Sequence, residues 1–72
     1  MAFLTFEAVG PRAEELAMDA GGAVDATVGY DPDLGCATFD SDDLDADDLQ
    51  AAISDALAEI DPDWQSHLRL AD

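Results

Sequence analysis

The stretch Ala23-Val24-Asp25-Ala26-Thr27-Val28-Gly29-Tyr30, followed by Asp31-Pro32-Asp33-Leu34-Gly35 and then Cys36-Ala37-Thr38-Phe39, decides the fold. Val24, Ala26, Val28 and Tyr30 fall on one side of an alternation, with Asp25, Thr27 and Gly29 on the other. That two-residue period marks a strand with one buried face. Pro, Asp and Gly in the connection are turn residues, and Ala37 and Phe39 resume the alternation with Cys36 and Thr38 opposite. A hairpin of residues 23–30 against 36–39 is expected.

Downstream, Leu49, Ala52, Ile53, Ala56, Leu57 and Ile60 form one helical stripe, with Gln50, Ser54, Asp55 and Glu59 opposite. Asp45 is placed to cap this helix, with Asp48 as a variant capping box and Leu44 and Leu49 as a hydrophobic staple. Asp47 and Asp48 sit in the first turn, where the helix dipole favours negative charge. Asp61-Pro62-Asp63 ends the helix, because proline cannot continue it and biases the preceding residue to extended backbone. Residues 67–70 then read as a final strand, Leu68 and Leu70 inward and His67 and Arg69 outward.

Upstream, residues 2–9 alternate, with Leu4, Phe6 and Ala8 on one side and Phe3, Thr5 and Glu7 on the other. Gly10-Pro11 breaks the strand, and Pro11 suits the first position of a helix. Ala13, Leu16, Ala17 and Ala20 follow at helical spacing, and Gly21-Gly22 reads as the C-cap. A helix of about ten residues is marginal alone and needs packing to hold it.

The resulting order is β-α-β-β-α-β, which predicts an α+β domain over residues 1–72 with a four-stranded antiparallel sheet and two helices on one face. This is the ferredoxin-like arrangement, with strand order 4-1-3-2. The other face would be uncovered, gathering Phe3, Thr5, Glu7, Asp25, Thr27, Cys36, Thr38, His67 and Arg69.

Charge bounds the function. The chain has 18 acidic residues, 14 of them Asp, against two Arg and no Lys, a net charge of −16. Binding nucleic acid by counterion release needs clustered cations, and an anionic membrane surface needs them too, so neither partner is expected. No stretch approaches the roughly 20 apolar residues of a membrane span, and the N-terminus lacks the basic residues of a signal peptide, so a cytoplasmic protein is expected. A single cysteine excludes an internal disulfide. Such charge repels itself, and dense salt would relieve it by shortening the screening length to about 3 Å at 1 M. The missing Lys, the preference for short Asp and the 14 Ala resemble the cytoplasmic proteins of salt-accumulating halophilic archaea, which implies a fold suited to concentrated salt.

From Val24 to Leu57, the alternating strand, Asp-Pro turn, second strand ending in Phe39-Asp40 and Asp47-Asp48-Leu49-Gln50-Ala51-Ala52-Ile53-Ser54-Asp55-Ala56-Leu57 helix resemble the latter half of a heavy-metal-associated domain. The resemblance implies the ferredoxin-like fold. That family's copper chemistry uses a Cys-x-x-Cys pair ahead of the first helix, where this chain has Val9-Gly10-Pro11-Arg12-Ala13-Glu14. No metal ligand carries over, and no cofactor is expected.

Several residues are candidates for a site. Cys36 and His67 are candidate ligands, as a reactive thiol or half of a soft-metal site and as a base or ligand; each also reads as a plain sheet residue. Glu7 and Arg69 would meet across the first and last strands, either as an ion pair or as an anchor for a small anion. The run Asp40 to Asp48 offers carboxylates to hard cations but lacks the glycine and terminal Glu of an EF-hand, so nonspecific association with salt cations is expected. Trp64 is either an interface contact or core closure beneath the second helix. No acid, base and nucleophile set is recognisable, so the leading expectation is a non-enzymatic interaction module. It would form a homodimer or dock on a larger protein through Phe3, Thr5, Glu7, Thr27, Thr38, His67 and Arg69. The alternative is a small-ligand or metal-binding domain using the same face.

Overall fold

A computed structural model describes residues 2–71. Strand β1 (Ala2–Ala8) leads to helix α1 (Ala13–Ala23), then strands β2 (Thr27–Asp31) and β3 (Cys36–Ser41), helix α2 (Ala46–Ile60) and strand β4 (Leu68–Leu70), with a 3-10 turn at Trp64–Ser66 before β4. The four strands form one antiparallel sheet in the order β2-β3-β1-β4, which from the opposite edge reads 4-1-3-2, the adjacency expected from the sequence. The chain is therefore α+β, with an open sheet. Helix α1 packs on β2 and β3, α2 packs on β1, and the helices pack on each other.

The core lies between these layers. Phe6, Ala37, Phe39 and Leu68 from the sheet meet Leu16, Ala17 and Ala20 of α1 and Leu49, Ile53 and Leu57 of α2, all but sealed from solvent. Phe6 is its hinge point: its ring meets Phe39 edge-on at 5.4 Å and Trp64 at 6.3 Å. Trp64 thus closes the core, half-buried, from the 3-10 turn.

The α2 boundaries follow the stripe, but its cap differs from expectation. Asp45 occupies the N-cap with extended backbone, yet its carboxylate accepts no capping hydrogen bond, so the Asp45–Asp48 capping box is not formed. The polar closure lies a turn earlier, where the Ser41 hydroxyl accepts from the N–H groups of Asp43 and Leu44 at 3.3 and 3.2 Å. Leu44 and Leu49 both join the core, as a staple requires.

Helix α1 departs further. Ala13 is its first residue and Pro11 lies in the preceding turn, while the helix runs through both glycines to Ala23. The reason for Gly21 is space: a Cβ there would overlap Val28 Cγ2 of β2, so glycine lets helix and strand approach closely. Closure comes later, with the Val24 N–H donating to Ala20 and the Ala26 N–H to Gly21 at 2.9 Å, around Asp25 at φ 62°. That is a Schellman-type end with aspartate in the left-handed position. It turns Val24 into a cap and moves the start of β2 from residue 23 to Thr27.

The final strand also shortens. Asp61 Oδ1 accepts the Asp63 N–H at 2.9 Å, and the 3-10 turn closes with the His67 N–H donating to the Trp64 carbonyl at 2.9 Å. His67 therefore belongs to the turn, and β4 begins at Leu68. The same Asp-Pro-Asp device builds the hairpin turn, where Asp31 Oδ1 accepts from Asp33 and Leu34 and Gly35 takes φ 66°.

Candidate interaction face

Strand register sets out the face opposite the helices in rows. Thr27, Asp40 and Phe3 lie side by side, then Gly29, Thr38 and Thr5, then Asp31, Cys36, Glu7 and Arg69. Among the described residues no element lies over these positions, and Phe3 stands 59% exposed in the first row. The middle row carries no charge. Its glycine has a packing reason, since a Cβ at Gly29 would crowd Thr38 Oγ1, which donates to the Gly29 carbonyl at 3.4 Å.

Phe3, Thr5, Glu7, Thr27, Thr38 and Arg69 thus share one surface as expected, while Asp25 borders it from the loop before β2 and His67 lies away from it. Asp25 precedes β2 as the left-handed residue ending α1. His67 is turned against the start of α1, where its Nδ1 accepts the Arg12 N–H at 3.4 Å and a Cβ on Gly10 would strike the ring. It is removed from the interaction face because the 3-10 turn, not a strand, sets its backbone.

The remaining candidates separate in the same way. Cys36 lies between Glu7 and Asp31, two carboxylates, while His67 faces Arg12, so the proposed ligand pair is not assembled. Among the described residues no group of three or more His, Cys, Asp or Glu side chains converges as a metal site. Asp25, Asp40, Asp42 and Asp43 do line a hollow of about 240 Å³ with Thr27 and Ser41, but they do not form such a group. Glu7 and Arg69 meet at 3.5 Å between exposed side chains, the cross-strand ion pair, which contributes little by itself.

Arg12 is the residue that sequence reasoning missed. Its guanidinium spans Glu15 Oε2 at 3.0 Å and Asp61 Oδ2 at 2.8 Å, tying the start of α1 to the end of α2. The hydrogen bond that the guanidinium donates to Glu15, then the charges of Glu15 and Asp61, raise its pKa above the usual arginine value. Only the Arg12-to-Glu15 spacing was visible in sequence; the partner 49 residues away was not.

No protein-family model, curated protein or solved structure matches the chain. Among the described residues no helix is long and apolar enough to cross a membrane.

Proposed function

We propose that this chain is a salt-adapted, non-enzymatic interaction module of the cytoplasm, built on the ferredoxin-like plan, which associates with a second copy of itself through the uncovered sheet face. The observation that carries the reading is the contrast in charge. The face holds an uncharged middle row, a largely exposed Phe3 and the cation Arg69, with its three carboxylates Asp31, Asp40 and Glu7 confined to the outer rows, in a chain of net charge −16. Elsewhere, carboxylates crowd both helices and the connections, so copies repel one another least at this face. An uncovered, charge-poor patch on a small domain is where a closed dimer buries surface.

The strand order supports the ferredoxin-like plan, and the Asp-rich, Lys-free composition supports the saline cytoplasm. Separation of the one thiol from the one imidazole supports a role in binding over catalysis. Thr38→Asp tests the interface by placing a charge in the middle row. It is expected to lower the dimer fraction in sedimentation at molar salt while the NMR spectrum stays dispersed. A dimer fraction unchanged by Thr38→Asp removes this face from the interface.

A further inference from the structure

We infer that the outer edge of β4 is a docking site for an extended segment of a partner protein, one that sets apolar side chains opposite Leu68 and Leu70 and an acidic side chain opposite Arg69. This surface runs along the sheet edge, shares only Arg69 with the sheet face, and does not depend on dimer formation.

The first observation is the phase of the β1–β4 ladder. Val9 N–H donates to the His67 carbonyl at 2.8 Å and Ala71 N–H to the Thr5 carbonyl at 3.0 Å, with Glu7 opposite Arg69 between them. Antiparallel pairs alternate between residues that exchange hydrogen bonds and residues that do not. Residues 67, 69 and 71 therefore turn their backbone groups toward β1. Leu68 and Leu70 turn theirs outward, where among the described residues no strand pairs with them, a template for another strand.

A second, independent observation is the hollow beside that edge. Trp64, Gln65, Leu68, Arg69 and Leu70 line a space of about 300 Å³. Leu68 and Leu70 lie on the core side of the strand and Arg69 on the open side. A fifth strand presents directly opposed side chains to the same face as their partners. Apolar residues opposite Leu68 and Leu70 would enter the hollow against Trp64, and the residue between them would meet Arg69.

Charge selects the occupant. Arg69 is 70% exposed and its bond to Glu7 is long at 3.5 Å, leaving guanidinium donors for a second carboxylate. A second copy pairing β4 with β4 in the central register sets Arg69 opposite Arg69, which like-charge repulsion disfavours. The pattern recognised is therefore apolar, acidic, apolar.

The full chain is titrated with the blocked peptide Thr-Val-Glu-Val-Thr and with Thr-Val-Lys-Val-Thr, at the lowest salt that keeps the NMR spectrum dispersed. Trp64 is the only tryptophan, so its emission reads the hollow. The expected result is a saturable emission change, amide shifts centred on Leu68 to Leu70, and binding of the Glu peptide about two- to fivefold tighter than the Lys peptide. Arg69→Glu should reverse the preference, and N-methylation of the valines, whose amides must pair with the edge, should abolish binding. Absence of saturation, a preference that Arg69→Glu leaves in place, or indifference to N-methylation would each overturn the proposal. Dimer mass is read separately, so either surface can fail alone.

Discussion

Gly21 and Gly22 stand side by side in α1 and answer to opposite forces. Alanine is favoured over glycine in a helix interior by about 1 kcal/mol, yet a Cβ at Gly21 overlaps Val28 whereas one at Gly22 meets nothing within 4 Å. Gly21→Ala is expected to destabilise by about 1–3 kcal/mol through overpacking, and Gly22→Ala to stabilise by about 0.5–1 kcal/mol. Thermal melts of the two variants in the same molar salt check the opposite signs; shifts of the same sign would contradict the close approach of α1 and β2. Asp25 holds φ 62°, where a side chain costs energy, so Asp25→Gly is expected to stabilise by up to about 1 kcal/mol in the same assay. The glycine pair looked like a helix stop because glycine commonly ends helices. What it encodes is room for Val28, a residue on another element, and no local pattern reveals that.

The bounds of helix α2 were legible because its stripe, its N-cap position and its terminating proline all concern neighbours within a turn or two, although the capping box is not formed and Ile60, the last of the stripe, is exposed. Leu57, fully buried, is expected to cost about 2–5 kcal/mol on replacement by alanine, read by denaturant unfolding; a loss well under 1 kcal/mol would place the stripe off the core. The end of the chain was less legible. Alternation of Leu68 and Leu70 extends naturally to His67, but the 3-10 turn anchored by Asp61 claims that residue first. Asp61 also receives Arg12, so this corner joins both helices. Arg12→Ala and Asp61→Ala are each expected to lower the melting temperature, and the double variant to lower it by less than their sum. Strict additivity would deny the tie. Because pairing raises the Arg12 pKa, its stabilisation is fully present below the ordinary arginine value of the unfolded chain and is lost only as pH rises through the higher folded value. Neutral and acid titrations therefore leave the guanidinium charged.

At the scale of the whole molecule, a net charge of −16 on 72 residues sets the conditions under which everything else holds. Screening length falls from about 10 Å at 0.1 M salt to about 3 Å at 1 M, so the melting temperature is expected to rise steeply over that interval; a flat or falling curve would contradict salt adaptation. Strand order and the two-layer plan were legible because alternation fixes which side of each strand is buried, and Phe3, Thr5, Glu7, Thr27, Thr38 and Arg69 followed onto one face. The occupant proposed for that face is a second molecule, which sequence periodicity does not describe. Sedimentation of the full chain at about 2–3 M salt, where charges are screened beyond about 3 Å, tests the proposed association most directly. A concentration-dependent dimer mass that Thr38→Asp shifts toward monomer is expected. A strict monomer at high concentration would contradict it.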